Sequence, residues 1–250
     1  MDPIGPRDAL RLLEIDAATV FARDSAGRMT HENDPDRSSP PRFYFAGCEG
    51  GNLLRLSRDV GDGIAREIAT LAAQEPSFSG PRSVPRFLDR YRELLAIDAP
   101  AMESSYGLIH LLPHRVPCAT DATLVAQGSA QGDALLARLR RHGLSEAMIG
   151  MGFADLSHLW EPWCVALVSD DIAALAFAAR LGEHGAALGL ATMPAYRGRG
   201  LAAAVTAGWS ALPQLQTRTL IYSTTRDNHA SRRVIARLRL PYVGTSLRLV

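Results

Sequence analysis

The segment Thr192-Met-Pro-Ala-Tyr-Arg-Gly-Arg-Gly-Leu-Ala202 has the residue types and spacing to do chemistry. An apolar run stops at Pro194, a turn of alternating arginine and glycine follows, and an alanine-rich helical pattern begins at once. A strand that turns straight into a helix aims several free backbone N–H groups at one point, at the positive end of the helix dipole. Such a point binds phosphate or pyrophosphate. Gly198 and Gly200 let the backbone approach an anion closely, where a side chain would stand in the way. Arg197 and Arg199 add charge that does not titrate away. Taken alone, the turn is equally an unliganded strand-to-helix connection, because short glycine motifs are weak signals. A dinucleotide-binding fingerprint fits worse, since it asks for GxGxxG after a parallel strand and an acid about twenty positions on. No such acid follows here, and the preceding strand belongs to a meander.

A second segment lies downstream: Tyr222-Ser-Thr-Thr-Arg-Asp-Asn228-His-Ala-Ser231, followed by Val234 and Leu238. Together the two segments resemble the GNAT superfamily of acyl-CoA-dependent N-acetyltransferases, over roughly residues 121–250. The superfamily's pyrophosphate loop reads Arg/Gln-x-x-Gly-x-Gly/Ala, and Arg197, Gly200 and Ala202 fill its fixed positions. Pro194 and Tyr196 match a common form of it. Asn228 matches a helix-start asparagine, and Ser231 the small residue three positions on. The resemblance implies acetyl-CoA, or another short acyl-CoA, as cofactor. It implies that Ala191, Thr192 and Met193 hold the pantetheine arm through their backbone. Arg197, Gly198, Arg199, Gly200, Leu201 and Ala202 would then hold the pyrophosphate. The strand Leu220 to Thr224 would splay away, leaving the thioester in the gap near Asn228 and Ser231. The acceptor it implies is a primary amine of a small molecule or a peptide.

Three positions depart from the superfamily pattern. Ile235 stands where a tyrosine acid is usual, Arg239 where a glycine ends the helix, and Ala187 where a glutamate is frequent. A neutral amine must still lose a proton to a base or water. The thiolate can leave with little help, since a free thiol has a pKa of about 8.5. Positioning alone supplies much of such a rate. Tyr222 is the first candidate for an acid, on the splayed strand; as a strand aromatic it equally suits the core, as does Tyr242. Ser223 and Thr224 would orient water, or simply suit a strand end. Glu183 and His184 fall in a turn, where polar residues are ordinarily solvated. Arg226, Arg232, Arg233 and Arg237 surround the last helix, either reaching outer phosphates or forming a solvated face. With no standard acid or base in place, a catalytically silent acyl-CoA-binding or sensing module is the alternative reading.

The elements that must position these residues read as follows. Cys164 to Val168, Ile172 to Leu181 and Ala186 to Met193 are apolar runs separated by Asp170-Asp171 and Glu183-His184-Gly185, which makes an antiparallel meander. A helix from Gly200 to Leu212, a strand Leu220 to Thr224, a helix Asn228 to Leu238 and a strand Tyr242 to Val250 follow. Upstream, Ala122 to Ala126 reads as a strand and Gln131 to Arg141 as a helix with Leu135, Leu136 and Leu139 inward. The predicted class is α+β (mixed α/β), with a GNAT-like central mixed sheet of splayed strands flanked by helices. Residues 1–120 are expected as an N-terminal extension, a degenerate second GNAT-like half or a substrate-covering domain, and 121–250 as the acetyltransferase domain. In the first part, Arg7 to Val20 reads as a helix and Arg23 to Pro41 as a long loop. Phe43 to Leu56 reads as a hairpin about Gly50-Gly51, and Gly63 to Gln74 and Val84 to Leu95 as helices. Residues 98–120 carry prolines and no clear period. Tyr44, Asn52, Arg55, Tyr91, Tyr106, His110 and His114 are candidates to line an amine pocket.

Composition narrows the alternatives. All 27 basic residues among the 250 are arginine. Without lysine there is no Walker phosphate loop and no Schiff-base or lysine-anchored pyridoxal chemistry. A net charge of +1 gives no reason to expect nucleic acid or an anionic membrane. A 47 % hydrophobic share supports a full core, and 21 % charged residues argue against global disorder. Cys48, Cys118 and Cys164 form no CxxC pair, so neither a zinc site nor a disulfide framework is expected, and no metal. The start of the chain lacks the basic and apolar regions of a signal peptide, and no apolar run reaches membrane-spanning length. A soluble, cytoplasmic protein is expected, of undetermined oligomeric state.

Overall fold

The computed structural model describes residues 4–98 and 103–250. The chain runs α1 (Pro6–Val20), β1 (Phe21–Arg23), β2 (Met29–Glu32), β3 (Phe43–Cys48), β4 (Gly51–Leu56), α2 (Asp62–Ala72), α3 (Leu88–Leu95) and β5 (Ser104–Leu112). It continues through β6 (Thr123–Ala126), α4 (Ala130–His142), α5 (Glu146–Ile149), β7 (Trp163–Val168), β8 (Asp171–Leu181) and β9 (Gly185–Thr192). It ends with α6 (Leu201–Ser210), β10 (Thr219–Thr225), α7 (His229–Leu238) and β11 (Tyr242–Leu249). No helix among the described residues is long and apolar enough to cross a membrane.

Among the described residues, nine strands form one mixed sheet in the order β4-β3-β11-β5-β10-β9-β8-β7-β6. Every neighbouring pair is antiparallel except β9 and β10. The expected meander β7-β8-β9 is present. Strands from both sides of residue 120 share the sheet, because β5 lies between β10 and β11.

Strand alternation assigns the helices to two faces. Leu220 and Tyr222 pack with Leu201, Val205, Trp209, Val234 and Leu238, so α6 and α7 cover one face. Phe43, Phe45, Leu247 and Leu249 extend that face under α2 and α3. Tyr44, Ala46, Ile221 and Val243 turn to the other face, where Leu13 and Ala17 of α1 meet them. On that face Val165, Leu175 and Ala191 pack with Leu135 and Leu139 of α4.

Three upstream expectations change. The stretch from Arg23 to Pro41 is not all loop: β2 within it pairs with β1 as a short hairpin, which period-two reading misses in strands of three and four residues. Helix α3 starts at Leu88 instead of Val84, since Pro85 holds its predecessor extended. Residues 98–120 contain β5; it reads as aperiodic because Leu108, Ile109 and His110 are buried in succession, in contact with both faces. The unplaced stretch also includes residues 99–102, which lie outside the described residues.

Candidate functional site

β9 and β10 pair only at Thr219↔Gly185, Leu220↔Ala186 and Ile221↔Ala187. Beyond Ile221 the two strands separate, so Leu188–Thr192 and Tyr222–Thr225 border an open gap. Met193 donates its N–H to Ala173 and accepts from Tyr196 N–H, so its backbone is used within the protein. Alternation along β9 then turns the backbone of Ala191 toward β8 and that of Leu190 and Thr192 into the gap. Of the three residues expected along the pantetheine, Thr192 offers its backbone N–H there, its carbonyl accepting from Arg197, and Leu190 joins it.

The turn after β9 has the geometry that its residues imply. Pro194–Tyr196 forms a single tight turn, and Gly198 and Gly200 both adopt φ 79°, a left-handed conformation natural to glycine. Helix α6 starts at Leu201 with Gly200 as its cap and no capping side chain. The backbone N–H groups of Gly198, Arg199, Gly200, Leu201, Ala202 and Ala203 donate to no other group among the described residues. Consecutive free amides at a helix start form an anion cradle. Arg197 Nε donates to Thr192 O at 3.4 Å, tying the turn to the end of β9. Arg199 stacks 5.6 Å from the centre of the Tyr196 ring, and Tyr196 OH donates to Asp171 at 3.1 Å. From α7, the Arg237 guanidinium lies directly over Gly200, where any Cβ would press on it. Three guanidiniums therefore surround the cradle.

Across the gap, Asn228 caps α7: its Oδ1 accepts the Ser231 N–H at 3.0 Å. The Ser231 hydroxyl lies 2.8 Å from Tyr222 OH. Tyr222 is only 2 % exposed and packs beneath α6 and α7 with Ile235 and Leu238. Burial raises its pKa, with the Ser231 hydrogen bond opposing part of the rise. Ala187 is buried and faces Ile221 across the paired end of the two strands. Glu183 and His184 are exposed in their turn. Arg226 stacks on Tyr106 and donates to Ser83 O, while Arg232 and Arg233 are exposed.

The candidates from the first 120 residues divide. Asn52 braces the 75–78 segment, and Tyr91 OH donates to Glu75. Arg55 donates to Leu54 O, Tyr106 carries Arg226, and exposed His114 meets Arg218 O. His110 sits opposite both Tyr222 and Tyr242 on neighbouring strands, with its Nδ1 buried and in no hydrogen bond among the described residues. Burial lowers its pKa to about 4. Tyr44 OH donates to Asp16 Oδ2 at 2.8 Å. Asp16, 2 % exposed on α1, has a second oxygen, Oδ1, that is buried and in no hydrogen bond among the described residues. Burial pushes its pKa up to about 6 against the opposing pull of Tyr44, Arg248 and Ser223. Sequence reasoning passed over Asp16, and the signal was there: a lone carboxylate on the apolar stripe of Leu13, Ala17 and Val20.

No family model matches the chain, and no curated protein matches it. Among solved structures, a GNAT-family protein from Novosphingobium aromaticivorans is 20 % identical over 59 % of this chain, with a TM-score of 0.39. The match spans 64 % of that protein, so just under two thirds of its length is covered. An acetyltransferase of the GNAT family from Colwellia psychrerythraea is 15 % identical over 100 % of this chain and 97 % of its own, with a TM-score of 0.43. A GCN5-related N-acetyltransferase from Sphaerobacter thermophilus is 12 % identical over 98 % of this chain and 93 % of its own, with a TM-score of 0.44. The architecture itself carries the assignment: with a strand, an arginine-glycine turn and a helix on one side of the gap, and a splayed strand leading into an asparagine-capped helix on the other, the fold is GNAT-like.

Proposed function

We propose that this chain is an acyl-CoA-dependent N-acetyltransferase acting on a primary amine of a small molecule or peptide, with the cytoplasm as its compartment. The supporting observation is the run of free amides from Gly198 to Ala203 at the mouth of the β9–β10 gap. The residues present fit the cofactor: left-handed Gly198 leaves open space beside the turn, Gly200 lets Arg237 lie against it, and Arg197, Arg199 and Arg237 supply positive charge around it. The cradle and those arginines would hold the pyrophosphate, and the backbone of Leu190 and Thr192 would hold the arm in the gap. When bound, acetyl-CoA supplies an activated acyl group as a thioester. Trp209, Leu220 and Tyr222 close the sheet beneath α6 and keep water from that side. Tyr222 OH and Ser231 stand beyond the paired end of β10, where a hydroxyl donor would meet a departing thiolate.

Acetyl-CoA at about a hundred times its dissociation constant is expected to add roughly 2.7 kcal/mol of stability, read as a rise in melting temperature. No shift at millimolar acetyl-CoA in a folded sample would overturn the proposal. The silent binding module is favoured by one observation, that Ile235 and Ala187 are both buried hydrocarbon. Steady release of CoA thiol with a panel of primary amines separates the two readings.

A further inference from the structure

The gap between β9 and β10 has two mouths. The phosphate cradle opens α6, which lies with α7 on one face of the sheet, so a cofactor held by it would enter from that face. A second substrate must come from the face of α1. On β10, Ser223 and Thr225 alternate with Tyr222 and Thr224, so they turn to that second face, and both are exposed. Behind Ser223 lies Asp16, held by Tyr44 OH through Oδ2, with Oδ1 in no hydrogen bond among the described residues.

Tyr44 needs only one acceptor to tie β3 to α1, and an asparagine would provide it. A buried carboxylate with one oxygen in no hydrogen bond costs more than that task requires. Its surroundings also keep it from being neutralised by a close ion pair. Arg248, the cation whose charge acts on Asp16, is engaged by Glu32 Oε1 at 2.9 Å and stacks over Phe21 and Tyr44. Glu32 and Asp34 are in turn engaged by Arg180. The groups facing Asp16 are therefore the Tyr44 hydroxyl, the partly compensated Arg248 and the Ser223 hydroxyl.

Building on the acyl-transfer reading above, we propose that Ser223 and Asp16 form the proton-accepting pair on the amine side of the gap. As the amine nitrogen bonds to the acyl carbon, the carbon–sulfur electron pair leaves with sulfur as thiolate. The nitrogen's proton passes to Ser223 Oγ, and the serine's own proton passes to Asp16 Oδ1. Two protons each move one step, the net transfer is one proton from nitrogen to Asp16, and no oxidant or further reactant is needed. Ser223 is the catalytic group; Asp16 is a positioning residue that stores the proton. A carboxylate tuned toward neutrality suits that role, because it holds a proton briefly and returns it to water.

Three measurements on the full chain test the pair. Carboxyl NMR of aspartate-labelled protein should show one signal, absent in Asp16→Asn, that titrates near pH 6. It should move upward in Ser223→Ala, which removes a neighbouring hydroxyl that favours the charged form. Thiol release from acetyl-CoA with aniline, an amine uncharged across this range, should follow the same inflection. Both variants should lose it, with a fall of about a hundredfold or more above neutral pH. The melting shift given by acetyl-CoA should be equal in the parent and both variants. No shift in the parent would sink the acyl-CoA reading itself. Equal shifts, with Asp16 titrating as an ordinary aspartate whatever stands at 223, would sink the pair and leave that reading intact. So would a pH profile that both variants share with the parent. Ser223 is exposed, so its variant answers even if Asp16→Asn folds poorly.

Discussion

Asp16 and His110 are buried titratable groups whose shifts oppose each other. Burial raises Asp16 from 3.8 to about 6 and lowers His110 from 6.5 to about 4. Native Asp16 keeps a proton that the unfolded chain has shed, so its share of stability falls as pH rises from about 4 to about 6. Native His110 refuses a proton that the unfolded chain takes up, so its share falls as pH drops from about 6.5 to about 4. Each effect is worth about 3 kcal/mol at most, at 1.36 kcal/mol per pKa unit. In the parent protein they largely cancel across that window. Single variants should unmask them. Relative to the parent, Asp16→Asn should gain stability as pH rises through the window and then level off. His110→Phe should gain as pH falls. Urea midpoints at several pH values check both, and variant curves parallel to the parent's would refute the pair of shifts. Above pH 7, Asp16→Asn is then expected to be more stable and less active, the signature of a residue kept for chemistry.

At the scale of the element, the cradle rests on two features read at different distances along the chain. The turn between β9 and α6 was legible because everything it needs lies within eleven residues: a proline stop, two glycines and a helix pattern. The cap of α7 by Asn228 was legible for the same reason. Arg237 was legible only as one of four arginines near a helix. Its place over Gly200 depends on α6 and α7 packing side by side, which no local pattern encodes. Asp16 was missed likewise, because a carboxylate on an apolar stripe gains meaning only from the strands beneath it. The first distinction can be tested. Arg237→Ala should weaken acetyl-CoA binding about three- to tenfold, or roughly 0.7–1.4 kcal/mol, and leave the melting temperature nearly unchanged, since the side chain is exposed. Gly200→Val should weaken binding too, but it also costs fold: φ 79° strains a branched residue by about 1–2 kcal/mol or more, and Arg237 must move. Gly200→Asn, which tolerates that conformation, should lose affinity with less loss of stability. Calorimetric titration and melts of the three variants make the comparison. Parent-like affinity in all three would move the phosphates away from this turn.

At the scale of the molecule, the chain's two parts meet in a strand and not at a seam. The motifs of residues 121–250 suggested a domain that carries the cofactor site, with residues 1–120 as a second half or a substrate cover. The sheet places β5, from residues 104–112, between β10 and β11. β5 pairs with β10 along Leu220–Thr225 and with β11 along Tyr242–Leu249. Helix α1 covers the far face across β3, β11 and β9, and it carries Asp16. A chain begun at residue 121 would keep the cradle residues, yet β10 and β11 would each present bare N–H and C=O edges, which invite aggregation. The buried faces of Ile221 and Val243 would lose Leu13 and Ala17. The fragment 121–250 is therefore expected to show no cooperative melt and no shift with acetyl-CoA, with light scattering rising on heating. Mixing it with fragment 1–120 during refolding should restore part of both signals, because the missing strand and helix return. A cooperative melt of fragment 121–250 alone, with the full chain's acetyl-CoA shift, would show that β5 only lines the sheet and does not hold the splay in place.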